Sequence, residues 1–388
     1  MMEATAGSDE LRNKSQKLVQ EIIILDGHID LPYWLQTYKE DISKRTENGD
    51  FDYDRCKEGG LNAPFMSIYV AASYEKEGAK KMADTLIDMI YAITSEHPDK
   101  FNLANSPEEV RQHFREGKIS LLMGMENGAP LEGDLKNVQY FFDKGIRYIT
   151  LTHAEDNHIC DSSYDTAKTH KGLSAFGYKV IDEMNRVGIM IDVSHVTDST
   201  FFQVIRTSKA PVIASHSSCR YFTPGFERNM SDEMIKLLAE KGGVIQINFG
   251  SSFLDTTSQK SNNELKVKLE KWMKNNNLKY EDREARDHIE ATYEKEFVFS
   301  NVTVVAEHID HAVKLVGVDH VGLGSDFDGV GNTLPVGLKD VSQYPNLIYE
   351  LLKKGYSDDD IRKICAENVL RVWDKAAAVA MQLQNEDD

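Results

Sequence analysis

Eight short apolar runs punctuate the chain, at residues 22–25, 65–71, 119–124, 147–152, 189–193, 211–214, 244–249 and 320–323. Each is a near-continuous run of Val, Ile, Leu and aromatic residues rather than an apolar–polar alternation. That is how strands buried on both faces of a parallel sheet read. Between most of them apolar positions recur every three to four residues, which predicts helices over 79–94, 176–187, 199–207, 232–241 and 302–316. A last helix is predicted over 358–377, with Ser357 as N-cap and Asp360 at the capping-box position. Strand–helix alternation repeated eight times predicts an α/β fold, a (β/α)8 TIM barrel formed by one domain over residues 1–388. A doubly wound open sheet is the alternative that strand count alone leaves open.

Two segments depart from the repeat. Residues 41–62 are polar and are read as a loop over one mouth of the barrel. Residues 251–300, after strand seven, hold a dense charge run over 266–290 with Trp272 and Tyr280 interleaved. Basic and aromatic residues together suggest nucleic-acid binding, but here acidic residues nearly balance the basic ones. A solvated helical insertion fits better, and such insertions often form lids or subunit contacts.

Composition narrows the field only modestly. The chain has 388 residues, 41% of them hydrophobic and 28% charged, ample for a large core. Its formal net charge of −18 argues against nucleic acid or an anionic membrane surface as partner. Cys56, Cys160, Cys219 and Cys365 form no CxxC pair and no disulfide framework, so they are read as reduced thiols. The first residues lack a signal-peptide apolar core, the last are too polar for a lipid-anchor signal, and no run of 18 apolar residues occurs. The sequence therefore predicts a cytoplasmic protein without a membrane partner.

The residues that end the strands carry the chemistry. Strand one runs into Asp26-Gly27-His28-Ile29-Asp30, strand three into Glu126-Asn127-Gly128, and strand four into His153. Strand five ends in Asp192-Val193-Ser194-His195, strand six in Ser215-His216, and strand eight in Ser325-Asp326-Phe327-Asp328. One strand-end histidine is usually a hydrogen-bonded structural residue, but six strands ending in His, Asp or Glu converge on the C-terminal face, where barrel active sites lie. Burying so many ionisable groups together is costly unless metal or ion pairs compensate. His28 and Asp30, two apart on a strand, share a face and can grip one cation. His195 and His216, on neighbouring strands, can grip another, and Glu126 can bridge both through its two oxygens. A His/Asp/Glu set without thiolate suits Zn2+, with Mn2+, Co2+ or Fe2+ also accommodated. About three protein ligands per ion leave open positions, as catalytic sites do.

At these residues the chain resembles the membrane (renal-type) dipeptidase family of the metal-dependent amidohydrolase superfamily. The resemblance runs from about residue 25 to 328. It is carried by His28-Ile29-Asp30-Leu31-Pro32, Glu126 in GMENG, LTH at 151–153, IDVSH at 191–195, APVIASHSS at 210–218, GFERNMSDE at 225–233 and HVGLGSDFDG at 320–329. It implies a barrel with two zinc ions per subunit, held by His28, Asp30, Glu126, His195 and His216. It implies hydrolysis of dipeptides by a hydroxide bridging the two ions, with a D-residue tolerated at the C-terminal position. It further implies that His153 contacts the substrate carbonyl and stabilises the oxyanion, that Arg228 receives the dipeptide carboxylate, and that Asp326 handles protons. A homodimer also follows from the resemblance alone.

Other amidohydrolases of the lactonase, phosphotriesterase or deaminase type are the alternative. Many of those open with His–x–His and place a bridging lysine after strand four. Here the first pair is His–x–Asp, and no lysine follows Thr150. Ile29, between the first two ligands, stands where the membrane forms carry a polar residue. His308 and His311, three apart on a helix, are read as a surface pair.

Overall fold

The computed structural model describes residues 2–280 and 282–387. Met1, Glu281 and Asp388, which the 1–388 domain and the 266–290 charge run include, lie outside the described residues. Eight parallel strands follow one another around a barrel: β1 (Ile24–Ile29), β2 (Leu61–Tyr69), β3 (Ile119–Glu126), β4 (Ile146–Thr150), β5 (Met190–Asp192), β6 (Ile213–Ala214), β7 (Val244–Ile247) and β8 (Val321–Leu323). The seam between β8 and β1 closes just past the strand ends, where Asp30 N–H donates to Phe327 O at 2.9 Å and Asp326 N–H to His28 O at 3.0 Å. The fold is the expected (β/α)8 barrel. A short extra strand, Phe101–Leu103, pairs outside the barrel with the start of β3.

The barrel is filled in two tiers. Near the lower end Leu25, Phe65, Leu122, Tyr148, Met190 and Val244 pack with Val369, Leu370 and Trp373 of the terminal helix, so that helix plugs the bottom. Phe65 meets both Tyr148 and Trp373, with ring centroids 5.0 and 5.8 Å away. The polar strand ends gather at the opposite end. Apolar side chains thus supply the stability at one end, while the other is free to collect charge.

The terminal helix shows where the sequence pattern stops short. Ser357 and Asp360 form the capping box, but the segment runs Asp358–Arg362, a π-helical turn Lys363–Glu367, then Asn368–Asp387. It continues ten residues past the expected end because Ala380 packs at Gly188 and Gln384 donates to Arg186 O at 2.7 Å. The polar stretch 41–62, expected as a loop, contains a helix, Tyr53–Gly59, capped by Asp52, whose carboxylate accepts from Arg55 N–H, and its last two residues already belong to β2. As expected the loop reaches a barrel mouth: Asp50 N–H donates to Asp328 at 2.7 Å, and Asp328 N–H to Asp50 at 2.8 Å. The chain also begins with a helix, Met2–Glu21, that the apolar pattern did not reveal.

Beyond β7 the insertion folds as three helices, Ser251–Leu254, Thr256–Asn276 and Arg283–Glu296. The last two share a small apolar cluster of Leu265, Leu269, Tyr293 and Phe297. No helix among the described residues is long and apolar enough to cross a membrane.

Candidate metal centre and substrate cleft

Glu126 ends β3 at the centre of the upper face and is 3% exposed. Its Oε2 lies 3.4 Å from His28 Nε2, and its Oε1 lies 3.0 Å from His195 Nε2 and 3.3 Å from His216 Nε2. His28 Nε2 is in turn 3.5 Å from Asp30 Oδ2. His216 sits between the others, its ring stacked on His28 at 3.8 Å and its Nε2 2.9 Å from that of His195. The five residues read from the sequence as ligands therefore converge. The route differs at one point. β1 ends at Ile29, and Asp30 is the N-cap residue of the next helix, Leu31–Tyr38, so its carboxylate reaches His28 from a turn rather than along a strand.

Second partners orient two of the imidazoles. Tyr148 crosses the barrel from β4, donating its hydroxyl to Gly27 O at 3.0 Å and receiving His28 Nδ1–H at 2.8 Å. This leaves the His28 Nε2 lone pair facing the cluster. Gly124 makes room for the Tyr148 ring, which a Cβ there would meet at 2.0 Å. His216 Nδ1–H donates to Ser215 Oγ at 2.7 Å, and Ser215 passes its own proton bond to Asp192 at 2.6 Å. A carboxylate–serine–histidine relay of this kind fixes tautomer and ring direction. His195 lacks such an anchor. It is aimed instead by its backbone, in the left-handed region at φ 69°. Strain of that kind in a non-glycine residue gathers at functional sites.

The electrostatics describe a site short of positive charge. Burial drives His195 and His216 well below the ordinary histidine range, and the nearby Arg228 charge adds to it, so both are neutral. Burial opposes the charge on Glu126, but the surrounding imidazoles hold it well below the usual carboxylate range. Burial opposes a proton on His28, but the neighbouring Glu126 and Asp30 carboxylates outweigh it and raise its affinity for one. A proton held there offsets part of the negative charge that a bound cation would offset in its place. Buried His28 Nε2, Asp30 Oδ1 and His195 Nδ1 have no hydrogen-bond partner. Three neutral or proton-binding imidazoles and two carboxylates, with three unpartnered buried atoms among them, fit divalent cations. His28, Glu126 and His216 bring their ligating atoms within 4.8 Å of one another, and so do His28, Asp30 and Asp326.

Asp326 and Arg228 stand beside this cluster. Burial, then the charge of Asp30, pushes the Asp326 carboxyl up to about 7. Asn248 Nδ2 donates to it at 2.7 Å. Asp326 adopts φ 65°, and bare Gly329 lets the two carboxylates approach, since a Cβ there would meet Asp30 at 2.0 Å and Asp326 at 2.3 Å. Arg228 is 3% exposed and pairs with no carboxylate among the described residues. It donates to Ser217 Oγ at 2.7 Å and His216 O at 2.8 Å, leaving Nε without a partner. His153 lies on the open side, its Nε2 3.7 Å from Glu126 and its ring edge against Tyr69. Burial lowers its proton affinity, so it is neutral.

Sequence reasoning missed the supporting residues. Asp192 and Ser215 lay inside the quoted motifs without a role, while Tyr148 and Ser67, whose hydroxyl donates to Glu126 at 3.2 Å, gave no signal within their apolar runs. His308 corrects the surface-pair reading. It is fully buried, accepting from Cys219 N–H and donating to Leu254 O at 2.8 Å, and only His311 is partly exposed, against Asp232.

Residues 12–387 match the model of the membrane dipeptidase family, peptidase family M19. The chain belongs to that family of metallopeptidases. It is 33% identical to the dipeptidase verJ of Clonostachys rogersoniana over 394 aligned residues, 97% of this chain and 90% of that protein. Among solved structures it resembles the probable dipeptidase PvdM of Pseudomonas aeruginosa, with a TM-score of 0.82 and 26% identity, covering 96% of this chain and 100% of that one. A Rhodobacter sphaeroides metallopeptidase, solved with a phosphinate mimic of L-Ala-D-Ala, gives a TM-score of 0.75 and 26% identity over 92% of this chain and 99% of that one.

Proposed function

We propose that this chain is a zinc-dependent dipeptidase with two ions per subunit. His28 and Asp30 would hold one ion, His195 and His216 the other, with Glu126 shared between them. The observation that carries this reading is the placement of Glu126, one oxygen against His28 and the other against His195 and His216. When bound, such ions supply a water acidified to near pH 7 and a Lewis acid for the scissile carbonyl.

The chain's own residues do the rest. Arg228 receives the free carboxylate of the dipeptide. Its guanidinium is buried, charged and without a carboxylate partner, and a two-pronged ion pair there is both strong and directional. A longer C-terminal extension would leave that charge unpaired, so the substrate is short. His153, on the open side, donates its N–H to the carbonyl oxygen as charge develops on it, a contribution of about 3–4 kcal/mol for one such donor. Asp326, beside the cluster and held there by the Asn248 amide, takes the proton of the attacking water and returns it to the leaving amine. Tolerance of a D-residue at the C-terminal position is supported by the Rhodobacter neighbour's phosphinate ligand.

The test is hydrolysis of a panel of L-Xaa-L-Xaa, L-Xaa-D-Xaa and C-terminally amidated dipeptides by zinc-reconstituted protein, with a lactone and a phosphotriester as controls. Cleavage of the free-carboxylate dipeptides alone is the expected outcome. Equal cleavage of the amides, or activity confined to the lactone or phosphotriester, overturns the reading.

A further inference from the structure

The insertion after β7 begins inside the cleft. Its first helix, Ser251–Leu254, carries Phe253 to 5.4 Å from the Arg228 guanidinium, with the charge over the ring face. Phe253 then meets Phe226 at 5.6 Å, Phe226 meets Tyr164 at 6.3 Å, and Tyr164 meets His195 at 6.0 Å between ring centroids. Arg228 returns to the cluster through its bond to His216 O, and His216 lies beside His195. The contacts make a closed circuit: three aromatic rings on one side, a guanidinium and two imidazoles on the other. Tyr164 is 46% exposed, so the aromatic arc opens outward.

This arc is built rather than incidental. Asn229 Nδ2 donates to Phe253 O at 2.8 Å, and buried His308 holds the next carbonyl, that of Leu254. Gly250 precedes the helix, where a Cβ would press on the Phe253 ring at 3.1 Å and on Val330 at 2.9 Å. Asn229 and Gly250 thus fix one phenylalanine, and His308 the residue that follows it.

We infer that Phe253, with Phe226 and Tyr164, forms the pocket for the C-terminal side chain of the dipeptide and selects large apolar residues there. The inference rests on the assignment of Arg228 to the substrate carboxylate. A carboxylate on Arg228 puts the adjoining α-carbon within reach of the rings that flank the guanidinium, and the side chain on that carbon leaves water against them. Burial of apolar surface then favours Phe or Leu over Gly, and an acidic side chain is disfavoured because beyond Arg228 the arc offers it only the Tyr164 hydroxyl as donor. The insertion is therefore part of the specificity apparatus.

The experiment compares kcat/KM for L-Ala-Gly, L-Ala-L-Leu, L-Ala-L-Phe, L-Ala-D-Phe and L-Ala-L-Asp. It uses the zinc-loaded wild type, Phe253→Ala, Phe253→Leu and Phe226→Ala, with metal content and melting temperature checked for each. The wild type should prefer a Phe or Leu C-terminus to Gly and Asp by tenfold or more. Phe253→Ala and Phe226→Ala should lose most of that preference through KM while L-Ala-Gly changes less than threefold, and Phe253→Leu should retain it. A wild type that cleaves all these dipeptides equally overturns the pocket but leaves the dipeptidase reading standing. A loss that is uniform across substrates in Phe253→Ala overturns it too, since Phe253 would then only support Arg228. If the wild type cleaves no dipeptide, the dipeptidase reading itself fails and takes the pocket with it.

Discussion

At the scale of single residues the account rests on Glu126, Arg228 and the second partners of the histidines. Glu126→Ala should leave fewer than two metal ions per chain by elemental analysis; retention of both contradicts a shared carboxylate. Arg228→Ala should raise KM for dipeptides tenfold or more with metal content unchanged, because among the described residues the guanidinium bonds only Ser217 and the His216 carbonyl. Ser215→Ala, which cuts the relay from Asp192 to His216, should weaken zinc binding by about 10–100-fold, the usual effect of removing an outer partner. Calorimetric titration reads that directly, and an unchanged affinity shows that the relay does not hold His216.

At the scale of elements, His308 gives a prediction far from any metal. Burial lowers its pKa from 6.5 to about 4. The unfolded chain therefore binds this proton more tightly than the folded one. The contribution is complete above pH 6.5 and is lost as pH falls towards 4, by about 3 kcal/mol in all. Unfolding of His308→Gln followed between pH 4 and 6.5 should show a correspondingly shallower slope than the wild type, and parallel slopes contradict the assignment. The elements also show what was legible in the sequence. The β7 run and the 302–316 helix were readable because burial on both faces or on one stripe imposes a period. The first helix, Met2–Glu21, was hidden because it is largely polar. The helix Tyr53–Gly59 was hidden because seven residues are too few to show a stripe. Asp30 and Asp326 were visible as residue types, but their turns were not, since the close approach that Gly329 permits is a property of two separate loops meeting in space. His308 was misread for a related reason: helical spacing says which residues share a face, but not whether another loop covers it.

The molecule as a whole divides its labour between two ends of one barrel. Trp373 and its neighbours seal the lower end, and Trp373→Ala should destabilise by about 3–5 kcal/mol, as large core truncations do, while zinc stoichiometry stays the same. The upper end gathers carboxylates whose mutual repulsion a cation relieves, so metal removal should lower the melting temperature as well as abolish turnover. The most direct test of the central claim is to strip the protein with a chelator and titrate zinc back, following hydrolysis of L-Ala-D-Ala and L-Ala-L-Ala at each addition. The account predicts no turnover in the stripped protein and a plateau at two equivalents per chain. Turnover that survives stripping, or a plateau at one equivalent, contradicts it.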